Sequence, residues 1–382
     1  MLAAPGWFHH LDQVRILVVP DKFKGTLTAQ AAARAIASGW RSVRRTDQIR
    51  LLPMSDGGDG FGEVLGKTTG AGVRKVKTVD AAGRPCVVPW WFDAGNRLAI
   101  IESARVIGLA MLPKGRFHPF DLDTRGLGAV IDAAIRAGAS RCLIGIGGSA
   151  TNDGGFGLAR ALGWEFCDRN HRAIETWSDL HRAVEIIPPD RSRRFRSCVV
   201  AVDVQNPLLG RRGATRVYGP QKGIAAEDFL KAETALSRLA KLVEASSGRN
   251  IAAEAGAGAA GGLGFGLSAF LGGRLRPGFN LFAQEARLQQ HLRWADLVIT
   301  GEGQIDASTL MGKGVGQITR ICSQRGISCL GLAGNLRLPA SPAGVGFAFT
   351  LGITDITTNH EAITLSAWWL RQLAAKAAKM FV

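Results

Sequence analysis

The chain has 382 residues, 46% of them hydrophobic and 20% charged. That length favours two or three domains, and the composition supplies large cores and excludes intrinsic disorder. The formal net charge is +16, but the basic residues are scattered and aromatics make up only 7%. This argues against nucleic-acid binding and leaves a solvated basic surface, or attraction of small anionic substrates, to explain the charge.

The first 13 residues lack the basic start and apolar core of a signal peptide, and His9-His10 has no cysteine partner nearby for a zinc site. Arg15-Ile-Leu-Val-Val-Pro20 is a short β-branched run and predicts a buried strand. It opens into Asp21-Lys-Phe-Lys-Gly25. Thr28 to Val43 carries Ala, Ile and Trp at helical spacing. A second strand, Gln48 to Leu52, leads into Ser55-Asp-Gly-Gly-Asp-Gly60 and a helix from about Gly60 to Lys67. Val73 to Asp80, Cys86 to Phe92 and Arg97 to Glu102 predict a meander, with Ala82-Gly83-Arg84 as a turn.

A helix over Thr124 to Ala137 precedes a strand over Arg141 to Ile146, and another helix follows Asn152-Asp153, whose side chains suit an N-cap. The cluster Arg191-Ser-Arg-Arg-Phe-Arg196 follows Pro188-Pro189 and reads as a surface turn. Cys198 to Val202 predicts a strand, and Glu227 to Ser246 an amphipathic helix. Ala255 to Gly273 is uncharged, but it is mostly Gly and Ala. It gains little in lipid and reads as a buried, closely packed helix over Gly262 to Leu271. The rest predicts helix Leu281 to Trp294, strand Leu297 to Thr300, helix Gly314 to Gln324, strands Ser328 to Ala333 and Gly346 to Leu351, and helix Glu361 to Met380.

The two ends of the chain thus read as βα alternation and the middle as meander plus helix. This predicts a Rossmann-like parallel-sheet α/β domain from 1–75 and 285–382. A mixed α/β domain would be inserted at 76–284, with the active site in the cleft and 120–165 able to belong to either. None of the six cysteines forms a C-x-x-C pair and several sit in apolar strands. They read as reduced thiols of a cytoplasmic protein.

Five apolar runs end in loops of Gly, Asp, Asn or Ser. Ligands of open parallel sheets bind at the carboxyl ends of strands, so these loops are candidates for one site. Lys24 and Lys22 follow the first strand, where a lysine reaches a phosphate as a point charge. Asp56 and Asp59 are carboxylates spaced by glycines at a helix start, suited to Mg²⁺ or to capping. Gly147-Gly-Ser-Ala-Thr-Asn-Asp-Gly-Gly155 is an anion-cradle candidate. Asp203 ends a strand, with Asn206 three residues on, and is a candidate base or metal ligand. Lys222 lies between turn residues, and Glu302, Asp306 and Lys313 flank a further strand-to-helix loop. Gly66-Lys67-Thr68 lacks the first glycine of a Walker A loop and follows a helix. Gly256-Ala-Gly-Ala-Ala-Gly261 matches G-x-G-x-x-G but follows no good strand. Both are set aside.

On these blocks the chain resembles the bacterial glycerate kinase family, the type I glycerate 2-kinases. The matching blocks are residues 20–25, 56–60, 144–155, 203–210, 219–223, 256–262 and 299–306, in the family's order. The chain departs at Asp59, where Glu is usual, at Gln304, where Arg is usual, and at Lys22, where a small polar residue is usual. Ile101-Glu-Ser-Ala104 keeps part of a further block.

The resemblance implies ATP-dependent phosphorylation of D-glycerate to 2-phosphoglycerate with Mg²⁺. It implies that Lys24 contacts phosphate and that Asp203 or Asp56 takes or orients the hydroxyl proton. Asp56, Asp59 or Asp153 would hold Mg²⁺. Gly147, Gly148, Ser149, Thr151, Asn152, Glu302 and Asp306 would bind nucleotide or phosphate, and Arg125, Asn206 and Lys222 the substrate. Transfer to the 3-hydroxyl, another small hydroxy acid, and a non-catalytic sensor of nucleotide or sugar acid are the competing readings. Oligomeric state is not legible in the sequence.

Overall fold

The computed structural model describes residues 13–190, 195–310, 314–337 and 346–380. His9-His10, Lys313 and residues 191–194 of the basic cluster lie outside them. The first strands are β1 (Arg15–Pro20), β2 (Gln48–Leu51), β3 (Gly72–Val79), β4 (Pro85–Asp93) and β5 (Leu98–Glu102). Next come β6 (Arg141–Gly145), β7 (Glu165–Cys167), β8 (Glu185–Ile187), β9 (Ser197–Val202) and β10 (Arg274–Pro277). The last are β11 (Leu297–Ile305), β12 (Ser328–Leu336) and β13 (Phe349–Gly352). The chain divides into two compact units, one of residues 1–55 and 282–382 and the other of residues 56–281. Residues 56–75 therefore fall in the inserted unit.

The first unit is a parallel five-stranded sheet in the order β13-β12-β11-β1-β2. In the unit's own chain order this is 2-1-3-4-5, so the order reverses between β1 and β11, where doubly wound sheets bind ligands. Ile16, Leu17, Val18 and Val19 are fully buried, as a strand covered on both faces requires. Each such side chain stabilises the fold by about 1.5–3 kcal/mol. Helix Ala29–Arg41 starts where the Thr28 hydroxyl accepts the Ala31 N–H, and it packs against helix Ser366–Lys379. The buried Asp47 carboxylate accepts from Val14 N, Trp40 Nε1 and Arg44.

The second unit holds a six-stranded sheet, β10-β9-β6-β5-β4-β3. Strands β10, β9, β6 and β5 run parallel, and β5-β4-β3 form the expected antiparallel meander. Its turn is tied by Asp80, which accepts from Ala82 N and Arg84 N. Ile101, Ile144, Val200, Leu263 and Leu267 centre one core. Phe156, Phe166, Trp177, Leu236 and Phe265 centre another, beside the β7–β8 ribbon.

Several predicted elements need correction. The helix expected over Leu281 to Trp294 is two, Gly278–Glu285 and Leu288–Trp294, broken at Arg287 in the left-handed region (φ 47°). The terminal helix is likewise two, Asn359–Thr364 and Ser366–Lys379, parted at Leu365. Strand β10 was missed because Arg274-Leu-Arg-Pro277 has no apolar run. It is an edge strand, where charge and proline are tolerated. The uncharged stretch is buried helix Ala259–Leu271, kinked at Ala260–Gly262. Among the described residues no helix is long and apolar enough to cross a membrane.

Candidate active site

In the second unit the carboxyl ends of β6 and β9 carry two of the loops singled out above, and β5 lies beside β6. Strand β5 ends in Glu102, which is 2% exposed. Its carboxylate accepts Gly60 N at 3.1 Å and Gly62 N at 3.0 Å, and Arg105 Nε donates to it at 3.1 Å. Glu102 thereby anchors the Asp56–Gly60 loop and the start of helix Phe61–Thr69. The first N–H groups of a helix have no partner within it, and here a side chain from another strand supplies one. Sequence reasoning gave this residue no role. The available signal was a carboxylate ending an otherwise wholly apolar strand, which a fold tolerates only when the charge is hydrogen-bonded.

The Asp56–Gly60 loop lies beside the ends of β6 and β9. Gly147 N donates to Gly57 O at 3.0 Å, and a Cβ at Gly57 would come 3.0 Å from Ala201 O. Asp56 is half-buried and accepts Gly58 N. Asp59 is exposed and flanks Gly148: a Cβ there would lie 2.8 Å from Asp59 Oδ1. Gly148 is itself exposed and left-handed (φ 82°).

Beyond Gly148 the loop turns inward. Ser149 Oγ and Thr151 Oγ1 lie 3.0 Å apart, and Asn152 Nδ2 donates to Thr215 Oγ1 at 3.0 Å. Ser149, Thr151, Asn152 and Asp153 are all at most 5% exposed, so their side chains build the loop. Asp153 is fully buried. Its oxygens accept from Thr124 N, Thr124 Oγ1, Gly155 N and Gly157 N, bracing the starts of helices Gly126–Arg136 and Phe156–Ala161. Burial, and then the nearby Asp123 charge, push its carboxyl above the ordinary range.

The block Gly256–Gly262 packs against this loop. Gly261 has φ 69°, and a Cβ there would fall 1.9 Å from Thr151 O. Its glycines thus serve close backbone approach, which is why a G-x-G-x-x-G match appears without a strand before it.

Asp203, at the end of β9, is exposed. Tyr218 donates to Asn206 Oδ1 at 2.7 Å, and Asn206 Nδ2 donates to Arg212 O at 2.7 Å, so the Asn206 amide braces its own loop. Burial, then the Asp203 charge, push the Tyr218 hydroxyl up. Lys222 is 7% exposed, with Nζ 2.6 Å from Thr151 O. Arg125 is exposed and pairs through Nε with Asp123 at 2.9 Å. Among the described residues no three His, Cys, Asp or Glu side chains group to hold a metal. A carboxylate or two with water and substrate phosphate is the usual Mg²⁺ arrangement, and Asp56 and Asp59 offer that donor set.

Lys24, Glu302 and Asp306 belong to the first unit: Lys24 follows β1, Glu302 lies within β11, which runs on to Ile305 past the expected end at Thr300, and Asp306 follows that strand. Lys24 is exposed, and a Cβ at Gly303 would lie 3.1 Å from Lys24 N. Glu302 is half-buried. Asp306 accepts from Ser308 N, Ser308 Oγ and Gln304 Nε2, and these bonds, Ser308 first, hold its carboxyl well below the ordinary range. The structure thus gathers Asp56, Asp59, Gly147–Asp153, Asp203, Asn206 and Lys222 in one unit. It places Lys24, Glu302 and Asp306 in the other.

Comparison with known proteins gives a consistent result. The model of the glycerate kinase family matches residues 16–382. A glycerate kinase of Halalkalibacterium halodurans is 37% identical over 370 residues, covering 95% of this chain and 97% of that protein. Glycerate 2-kinase of Escherichia coli K12 is 35% identical over 355 residues, covering 91% and 93%. A solved structure assigned as glycerate kinase 2 of Salmonella typhimurium LT2 matches with a TM-score of 0.82 at 33% identity, covering 96% and 98%.

Proposed function

Because the chain belongs to the glycerate kinase family, we propose that it transfers the γ-phosphoryl group of ATP to the 2-hydroxyl of D-glycerate, giving 2-phosphoglycerate, with Mg²⁺ as cofactor. The observation that carries this reading is the exposed Gly148 backbone beside the Asp59 carboxylate, at the carboxyl end of β6 among the parallel strands of the second unit's mixed sheet. Backbone N–H groups in such a loop bind phosphate, and an adjacent carboxylate holds the metal that accompanies it.

Phosphoryl transfer needs positioning, charge neutralisation and a proton acceptor. The 147–152 loop cradles phosphate. Asp59 and Asp56 would hold Mg²⁺ with water, and Mg²⁺ bound there would supply charge neutralisation for the phosphate. Asp153 stays with its four donors as a brace. Asp203, exposed at a strand end, takes the hydroxyl proton. Arg125 clamps the substrate carboxylate, and of the first unit's residues Lys24 is the one suited to meet phosphate as a point charge. The six cysteines are unpaired, which suits a reducing cytoplasm.

The test is ³¹P NMR of the protein with Mg·ATP and D-glycerate, beside L-glycerate and no-acceptor controls. The expected result is a 2-phosphoglycerate resonance that needs the D acceptor and disappears on chelation. A 3-phosphoglycerate resonance instead would keep the kinase and overturn the choice of hydroxyl. Intact ATP in every sample of folded protein would overturn the reading.

A further inference from the structure

Two neighbouring residues of the phosphate loop are gripped by one short segment of chain. Lys222 Nζ donates to Thr151 O at 2.6 Å, and Thr215 Oγ1 accepts Asn152 Nδ2 at 3.0 Å. Thr215 lies in helix Ala214–Tyr218 and is fully buried. Lys222 ends the 3₁₀ turn Pro220–Lys222 and is 7% exposed. Gly261 closes on Thr151 O and on Asn152 Cα. The Thr151 carbonyl is therefore enclosed between an ammonium group and a glycine backbone.

A buried lysine is costly to desolvate, and a fold keeps one where the group makes a strong hydrogen bond. An ammonium committed to a backbone carbonyl of the loop is poorly placed to meet a substrate carboxylate as well. We propose that Lys222 and Thr215 form a clamp that positions the Thr151–Asn152 peptide of the phosphate loop, and that Lys222 is a positioning residue with no contact to the acceptor. This rests on the reading of residues 147–152 as the nucleotide cradle.

The test compares wild type with Lys222→Met, Thr215→Val, Thr215→Ser and the Lys222→Met/Thr215→Val double variant. Steady-state kinetics are read for each substrate separately, and amide hydrogen exchange is read over residues 147–155. Losing a charged hydrogen bond that orders the cradle raises KM for ATP by about 10–100-fold in Lys222→Met. KM for D-glycerate stays within about twofold, a smaller change than any lost hydrogen bond to the acceptor gives. Exchange over 147–155 quickens in Lys222→Met and Thr215→Val, while Thr215→Ser restores wild-type behaviour. The double variant loses less than the product of the two single effects, because both residues hold one peptide.

A rise in KM for D-glycerate with KM for ATP unchanged would overturn the proposal and make Lys222 an acceptor ligand. Unchanged exchange over 147–155 would also overturn it. If Lys222→Met does not fold, Thr215→Val against Thr215→Ser carries the same comparison. Failure of the kinase reading shows separately, as wild-type protein that neither binds nor turns over ATP. The exchange result then still decides the clamp.

Discussion

The side chain of Glu102 accepts the backbone N–H of Gly62 at 3.0 Å, from the end of one strand to the start of a helix forty residues earlier in the chain. The same carboxylate takes Gly60 N. One buried charge therefore fixes where the Asp56–Asp59 carboxylates sit.

Glu102→Gln keeps one acceptor oxygen and exchanges the other for a donor that faces an N–H group. The expected cost is about 1–3 kcal/mol of stability, with a rise in the Mg²⁺ concentration needed for half-maximal rate. Chemical denaturation and a Mg²⁺ titration check the two effects. Unchanged stability would mean that water replaces the lost acceptor.

Lys24 is exposed, so Lys24→Met is expected to leave the unfolding midpoint unaltered. With Lys24 as the proposed phosphate contact, loss of its charge is expected to lower kcat by about 10²–10³-fold. Thermal unfolding and initial rates measured on one preparation separate the two effects. A rate near wild type removes Lys24 from the site.

Asp203→Asn is expected to lower kcat by about 10²–10⁴-fold, the range for a lost general base, with ATP affinity retained. Calorimetric titration with ATP and initial rates check this. If affinity falls and kcat holds, Asp203 serves the metal or nucleotide instead.

Burial pushes the Lys222 ammonium from its ordinary 10.5 to about 7, with the Asp153 charge opposing. Between those two values the unfolded chain binds more protons than the folded one, so stability rises with pH across the window. Below about pH 7 both states are protonated and the cost of the buried charge is felt in full. Wild type should therefore gain stability relative to Lys222→Met as pH rises from 7 towards 10.5. Denaturant unfolding of both chains at several pH values in that range measures it, and a flat difference would refute it.

Gly261→Ala forces a side chain into a left-handed backbone, at about 1–2 kcal/mol, and against Thr151 O. Overpacking adds about 1–3 kcal/mol or displaces the loop. Lower stability together with a higher KM for ATP is expected. Gly248→Ala is the control, since its φ is 67° but nothing lies within 4 Å of the added Cβ. Only its stability should fall.

Much of the architecture was legible because it follows local rules. Buried apolar runs such as Leu17-Val18-Val19 and Leu143-Ile144 predict strands, and both of these pair in parallel. Alternation at Val73 to Asp80 and Cys86 to Phe92 specifies a half-exposed meander. The breaks at Arg287 and Leu365 were not legible. Both neighbouring stretches keep helical periodicity, and only packing decides that the axis turns there.

The candidate site divides along the same line. The sequence by itself determined which groups are available, because Gly, Asp, Asn and Lys after apolar strands can only sit at a sheet's carboxyl edge. Tertiary structure alone decided what each group does there. Whether a polar side chain meets ligand or protein depends on partners distant in the chain. Asp153 is taken by Thr124, Lys222 by Thr151 O and Asn206 by Tyr218 and Arg212. Burial makes that choice, since a polar group removed from water must be satisfied within the fold before it is free to serve a substrate.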